Sequence, residues 1–504
     1  MSFPASVLYL AEQVRELDRR VIAGDMNGDG FALMKRAGRA AYRALRRRWP
    51  QIRRITVFCG AGNNAGDGYV VAALAAADGL GVQLLALRDP ESLSGDAARA
   101  VTMASEAGVK PAAWHPGSGM EGEVIVDALL GTGLQGDVRS PYEEAIADIN
   151  GSALPVLAID IPSGLSADTG VVLGTVVHAT LTVTFIADKL GLHTGNAPAY
   201  VGEHRLETLD VDASLHTDLA PVAGLLSSSL LPTWLPSRSR DGHKGNYGHV
   251  LVVGGAPGFG GAALLASRAA ARAGAGKVTL ATAPEHVTAS LVSCPEVMVH
   301  GVRSAGDLER LLNGVDVVAV GPGLGQSAWG QGALQTVRNV DCPLVVDADG
   351  LNLLAGASSV TVREDWILTP HPGEAARLLG WRADEVQADR LKAVRCLQET
   401  FGGVAVLKGS GSLIAAKHGT WVCPYGNPGM ASGGMGDVLT GIVAALVSQG
   451  QELERAACLG VMVHALAADK AAREEGERGL LASDLASYAR SWLNRSLCES
   501  REAS

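Results

Sequence analysis

Three polar side chains crowd one glycine turn near the start of the chain. The segment Gly60-Ala61-Gly62-Asn63-Asn64-Ala65-Gly66-Asp67-Gly68 follows a β-branched run at 55–59 and leads into an apolar stretch. Glycines placed directly after a strand let backbone amides approach a phosphate, and a helix beginning there adds N–H donors and its positive dipole end. Gly60, Gly62 and Ala65 satisfy a loose G-x-G-x-x-A spacing, with Asp89 near the end of the next strand. Taken alone, this loop fits a dinucleotide-binding dehydrogenase. It equally fits a helix start capped by Asn63, Asn64 or Asp67.

Two further strand ends narrow the choice. Asp127 precedes a second loop, Gly131-Thr132-Gly133-Leu134-Gln135-Gly136-Asp137, and Asp160 precedes Ser163-Gly164. Parallel strands would bring all three loops to one sheet edge. Asn64, Asp127 and Ser163 then offer oxygen ligands to a hard cation of low charge, without the Cys or His that zinc favours. Asp160 remains for proton transfer.

A second set lies far along the chain. Gly433-Gly434-Met435-Gly436-Asp437 opens an apolar stretch. Glycine amides at a helix start can cradle a transferring phosphoryl group, and a carboxylate fixed there can accept the attacking hydroxyl's proton. The same Asp437 could instead cap the helix. Lys408-Gly409-Ser410-Gly411-Ser412 is a small polar turn able to hold a nucleotide, and the loop 427–434 precedes the glycines. No G-x-x-x-x-G-K-[ST] segment occurs, which excludes a P-loop enzyme. His371, between two prolines, reads as a ligand contact or as a rigid strand-end turn.

The elements that must position these residues repeat one pattern twice. Strands are predicted at 55–59, 82–87, 124–127, 156–161 and 181–186, with helices around 69–78 and 142–149, a βαβ alternation that builds a parallel, doubly wound sheet. A Ser-, Pro- and Leu-rich lapse follows. A second series then runs through 250–253, 277–281, 316–320, 344–347, 366–369, 404–408 and 412–415. The predicted organisation is a Rossmann-like three-layer domain at 1–215, a linker at 216–240 and a second α/β domain at 241–504.

Composition agrees with this. Gly makes up 63 of 504 residues and aromatics only 4%, which suits α/β layers packed through small side chains. A net charge of −10 argues against a nucleic-acid or membrane-surface binder. The basic run Lys35, Arg36, Arg39, Arg43, Arg46, Arg47 and Arg48 reads as the solvated face of a helix. Seven dispersed cysteines without a CxxC pair read as idle thiols, and no secretory signal or membrane span is apparent, so a cytoplasmic location is expected.

Together, the loop around Asn63–Asp67 with Asp127-Ala-Leu-Leu-Gly131-Thr-Gly133-Leu and Asp160-Ile-Pro-Ser163-Gly164 resembles the epimerase domain of the NAD(P)H-hydrate repair family, over roughly 9–212. The resemblance implies that Asn63, Asn64, Ala65, Gly66, Asp67, the loop Gly131 to Asp137 and Asp160 bind the hydrated cofactor. It also implies that potassium lies on Asn64, Asp127 and Ser163. The G-x-G-D segment resembles the ribokinase-like superfamily. With Lys244-Gly-Asn-Tyr-Gly-His249, Gly321-Pro-Gly323-Leu-Gly325, Asp347-Ala-Asp-Gly-Leu-Asn352 and Thr369-Pro-His371-Pro-Gly-Glu374, it is similar to the family's dehydratase domain over roughly 225–500. That likeness implies a ribokinase-like fold for the second domain. Ala263, Gly323, His371 and Asp437 would then contact the hydrate, while Lys408, Gly409, Ser410, Gly411, Ser412 and Gly436 hold ADP or ATP with Mg²⁺.

The implied function is bifunctional: epimerisation at C6 of hydrated NADH and NADPH by Asp160, and nucleotide-dependent dehydration by Asp437. Small molecules would be the partners, and the resemblance implies a homo-oligomer. Lys189 is a candidate diphosphate contact. The rival reading is an ATP-dependent small-molecule kinase carrying a non-catalytic N-terminal nucleotide-binding domain; release of an intact phosphorylated product would distinguish it.

Overall fold

The computed structural model describes residues 6–494, and the chain divides into two compact units, Met1–Gly224 and Leu225–Ser504. In the first, a seven-stranded sheet runs Pro111–Ala113, Gly81–Ala86, Arg54–Cys59, Val124–Ala128, Val156–Ile159, Leu181–Phe185, Glu203–Glu207. Every neighbouring pair in it is parallel. The chain winds outward from Arg54–Cys59 in one direction and then resumes at Val124–Ala128 on its other side. That reversal opens a crevice at the strand ends, where open α/β sheets take their ligands. The central strands are buried on both faces, which explains their continuous Val, Ile and Ala runs.

The helix Asn63–Ala77 follows the strand Arg54–Cys59 and is rich in Ala, Val and Gly, so it packs closely against its neighbours. It lies against the helix Gly30–Arg48, where a side chain on Gly38 would come within 2.5 Å of Val70. Arg36, Arg39, Arg43, Arg47 and Arg48 are exposed on that second helix, the solvated face expected of the basic run.

The predicted strands agree with the observed ones, with two instructive differences. The strand expected at 156–161 stops at Ile159 because Asp160 has φ +68°, and that expected at 181–186 stops at Phe185 because Ile186 has φ +64°. Left-handed backbone at a non-glycine residue is unfavourable, most of all at a β-branched one, and such strain gathers at functional sites. The short strands Asp188–Lys189 and Glu203–Glu207 carried no legible signal.

In the second unit the sheet order is Met298–Gly301, Lys277–Thr282, His249–Val253, Val317–Val320, Leu344–Val346, Trp366–Leu368, Val404–Leu407, Ser412–Ala416, Gly419–Cys423. It is parallel as far as Val404–Leu407, and the last two strands are antiparallel. Its switch point lies between His249–Val253 and Val317–Val320. The helix Met435–Ser448 is buried along its length except at Gly436 and Asp437. A helix apolar on every side belongs in a core, so the two uncovered residues are the ones left for chemistry.

Part of the stretch 216–240 is structured. Leu226 and Leu231 are buried in the core of the second unit, and a short helix forms at Leu231–Trp234. Cys59, Cys294, Cys342, Cys396, Cys423 and Cys458 are free thiols, while Cys498 and the first residues of the chain lie outside the described residues. No helix among the described residues is long and apolar enough to cross a membrane.

Candidate active sites

The crevice of the first unit is a cavity of about 570 Å³. Asn63, Asn64 and Asp67 line it together with Gly131, Thr132, Gly133, Leu134, Gln135 and Asp160. Ala65 and Gly66 are buried behind that surface. Gly136 and Asp137 continue the second loop beyond the lining residues.

Asn63 and Asn64 do not cap their helix: the cap position is Gly62, and no side chain bonds there. Both amide atoms of Asn64 are buried without a hydrogen-bond partner. Its side chain lies against Gly131, where an added Cβ would sit 3.8 Å from Asn64 Oδ1. Asp127 is fully buried and forms a knot with the neighbouring loops. Ser163 Oγ donates to Asp127 Oδ1 (2.6 Å), Ser163 N to Oδ2 (2.9 Å), and Leu130 N to Ser163 Oγ (2.9 Å). Burial pushes the Asp127 carboxyl up to about 6, opposed by its bonds to Ser163 and Leu129. The orphaned amide against Gly131 and the desolvated Asp127, whose partners are all neutral, offer oxygens without positive charge. They fit a monovalent cation.

Asp160 stands apart from that knot. Lys189, fully buried, places Nζ 2.6 Å from Asp160 Oδ1 and donates to Thr184 Oγ1 at 2.6 Å; Thr184 in turn donates to Asp160 Oδ1 at 3.1 Å. Lys189 is therefore anchored to the candidate base by a buried ion pair.

Two more carboxylates share the cavity. Burial, then the charges of Asp160 and Asp18, hold Asp67 well above the usual carboxylate range. Asp18 is pushed up to about 6, first by burial and then by Asp160, with Lys189 and Arg15 opposing. Sequence reasoning passed over Asp18, yet a signal existed. Helix Ala11–Ala23 buries Ala11, Val14, Leu17 and Val21, and Asp18 follows Val14 by four residues on that inward stripe.

In the second unit, Gly434 takes φ +91° at the start of Met435–Ser448, and no side chain caps this end. Asp437 is thus free of the capping role. Burial and then the Asp347 charge push it up to about 7; Lys408 opposes, and Glu374 and Asp349 add to the rise. Beneath Gly436 lies a buried ion pair. Lys408 Nζ is 2.6 Å from Asp347 Oδ1 and 3.8 Å from Glu374 Oε2, and Thr440 Oγ1 donates to Asp347 Oδ2 at 2.8 Å. A Cβ on Gly436 would meet Lys408 Nζ at 3.2 Å, so the ammonium supports the glycine turn from below.

The other residues of the second set fall around this centre. Gly409 and Gly411 have φ +137° and +61°, and the turn closes through Ser412 Oγ donating to Gly409 O at 2.9 Å. Gly323 packs against Phe259, and Ala263 is fully buried beneath Gly254 and Gly255. His371 caps helix Pro372–Leu379 by accepting from Gly373 N at 3.0 Å, while its ring stays half-exposed. It thus combines the turn role with an accessible face.

Two supports carried no sequence signal. Arg390, 2% exposed, donates to the carbonyls of Leu407 and Lys408 under the turn. His464 is buried in helix Leu453–Glu475, pushed down to about 4 by burial, with Nε2 unpartnered.

Two α/β units, each with a carboxylate at a glycine-lined strand or helix end, suit an enzyme with two sites for small molecules. Residues 250–490 match the family described as NAD(P)H-hydrate dehydratase, and residues 30–191 match the YjeF-related protein N-terminus. The chain is 51% identical over 491 residues to the bifunctional NAD(P)H-hydrate repair enzyme of Coxiella burnetii, covering 97% of this chain and 100% of that protein. It is 43% identical to the enzyme of the same name from Escherichia coli, covering 96% and 93%. Among solved structures, a ribokinase-like superfamily protein of Enterococcus faecalis is similar, with TM-score 0.50 and 28% identity, over 54% of this chain and 95% of that one. The chain belongs to the bifunctional NAD(P)H-hydrate repair enzymes.

Proposed function

We propose that the first unit interconverts the C6 epimers of hydrated NADH and NADPH, and that the second dehydrates the S form with ADP as phosphoryl donor. The observation that carries this reading is the presence, in one chain, of an Asp160 held by a buried ammonium and an Asp437 raised to about 7 at an uncapped glycine helix start.

In the hydrate, the C6 hydroxyl adjoins N1 and forms a hemiaminal. Expulsion of hydroxide with help from N1, and its return from the opposite face, exchanges the epimers. Asp160, paired with Lys189, takes a proton from the water that adds back to C6 on the opposite face. Asp67, whose environment favours the neutral form, is suited to donate to the departing oxygen. Potassium would be held by Asn64, Asp127 and Ser163, and would supply positive charge that fixes the loops around the substrate.

In the second unit, Asp437 accepts the C6 hydroxyl proton as that oxygen takes the phosphoryl group. Gly436 and the glycine amides stabilise the charge on the group in transfer. Phosphate then leaves C6 with push from N1, and loss of a C5 proton restores the ring double bond, leaving AMP and phosphate as co-products. The turn Lys408 to Ser412 would hold the nucleotide. A nucleotide-bound Mg²⁺ would accompany ADP at this turn and neutralise its phosphate charge.

Incubating the purified protein with hydrated NADH and either ADP or ATP, while following the return of NADH absorbance, tests the reading. Restoration of NADH with release of AMP and phosphate supports it. A stable phosphorylated product without NADH would overturn it in favour of a kinase.

A further inference from the structure

Next to Lys189 in sequence begins a cluster that neither reaction uses. Asp188, His193 and His204 bring one carboxylate oxygen and two imidazole nitrogens within 4.8 Å of one another. Asp188 and His193 are buried, and His204 keeps 22% of its side chain exposed. We propose that Asp188, His193 and His204 form a binding site for a borderline divalent transition ion of the zinc class, with a water at the open position.

Both imidazoles converge on the two oxygens of one carboxylate. His193 Nε2 lies 2.8 Å from Asp188 Oδ2, and His204 Nε2 lies 3.1 Å from Asp188 Oδ1. With metal–ligand bonds of about 2.0–2.2 Å, tetrahedral neighbours sit about 3.3 Å apart. The three ligand atoms already lie within 4.8 Å of one another, so an inward adjustment of the side chains would admit the ion.

One hydrogen bond, between His193 Nε2 and Asp188 Oδ2 at 2.8 Å, accounts for part of the cluster. His204 Nε2 is buried and, despite its 3.1 Å approach, lacks the alignment of a hydrogen bond. The two imidazoles stand edge to face at 4.7 Å, aimed at one carboxylate. Asp188 Oδ1 also accepts from Lys189 N at 2.9 Å, the kind of outer bond that orients a metal-binding carboxylate. Two imidazoles and a carboxylate suit zinc, cobalt or nickel and disfavour potassium or magnesium, so this site is chemically distinct from the oxygen knot at Asn64.

The placement gives the ion a task. Asp188 belongs to the strand Asp188–Lys189, His193 to the turn after it, and His204 to the edge strand Glu203–Glu207. An ion shared among them ties the sheet edge to the backbone of Lys189, and so fixes the ammonium against Asp160. Asp188, His193 and His204 act here as positioning residues, through Lys189.

The test uses the full-length, tag-free protein, stripped with chelator, equilibrated with Zn²⁺ and freed of loose metal. Elemental analysis should find about one zinc per chain in the wild type. His204→Gln, which keeps a hydrogen-bond donor for Asp188, should weaken zinc binding by about a hundredfold or more, beyond the 10–100-fold that outer partners are worth. His193→Asn should do the same. Zn²⁺ should raise the melting temperature of the wild type, whereas excess K⁺ or Mg²⁺ should not displace it. Should His193→Asn fail to fold, cobalt loading of the wild type decides. Intense visible bands of a four- or five-coordinate ion support the site, and a pale octahedral spectrum counts against it. Equal zinc retention in wild type and His204→Gln, or none in either, overturns the proposal.

Discussion

Asp437 and Asp160 are both carboxylates at glycine-lined sites, but their surroundings set different working conditions. Asp437 must be ionised to accept a proton, and it is held near 7 by burial and by Asp347, against the pull of Lys408. Dehydration kcat/KM should therefore climb about tenfold per pH unit below that value and level off above it. Lys408→Met removes the opposing charge, so the limb should move to higher pH. A limb near the ordinary carboxylate range, about 4, would refute the assignment. The same shift has a stability consequence. Between the unfolded and folded values the native state holds more protons than the unfolded chain, so stability falls as pH rises through that window. Asp437→Asn should accordingly be more stable than wild type above about pH 7, by roughly 1–4 kcal/mol, and should lose that advantage near pH 4 in urea melts.

Also at this scale, Asp160 and Asp127 should separate cleanly. Asp160→Asn removes a proton acceptor and should cut epimerisation by roughly 10²-fold or more, whatever the salt. Asp127→Asn weakens a cation knot instead, and excess potassium should recover part of its loss. Epimerisation rates across a potassium series measure both; near-normal turnover in Asp160→Asn would pass the base to Asp67 or Asp18.

At the scale of elements, loop geometry is what turns these residue types into a site. A Cβ on Gly60 would come within 1.9 Å of the Leu129 carbonyl, whereas Gly62 has open space and an ordinary backbone angle. Gly60→Ala must displace the loop that leads to Gly131, at a cost of about 1–3 kcal/mol, and should disable epimerisation. Gly62→Ala should leave it close to wild type. Comparable losses in both variants would show that the loop responds to composition rather than to this contact. The sequence disclosed the strands because buried parallel strands are uniform apolar runs, and disclosed the loops because glycine marks close approach. It could not disclose Asp188–Lys189 or Glu203–Glu207, which are short and rich in charge and whose pairing depends on distant partners. Nor could it reveal that Lys189 pairs with Asp160, since the +64° turn at Ile186 that redirects the chain before Lys189 breaks the rule for a β-branched residue. Asp18 was legible in principle, as an acid on an apolar stripe, but a periodicity read for packing passes over it.

For the whole molecule, the consequence of two separate carboxylates in two compact units is a division of labour that kinetics can resolve. If only the S hydrate is dehydrated, the first unit's task is to feed the second from a mixed pool. Asp437→Ala should then abolish the return of NADH while the epimer ratio still relaxes, as chromatography would show. Asp160→Asn should do the converse. Given a mixture of epimers and ADP, it should restore NADH in a fast phase equal to the S fraction, followed by a slow remainder set by uncatalysed epimerisation. Mixing the two variants, each with one intact carboxylate, should return the wild-type progress curve, because the hydrate can diffuse between molecules. A single fast phase from Asp160→Asn alone would mean that the second site accepts both epimers. A slow remainder persisting in the mixture would mean that the two sites must lie on one chain.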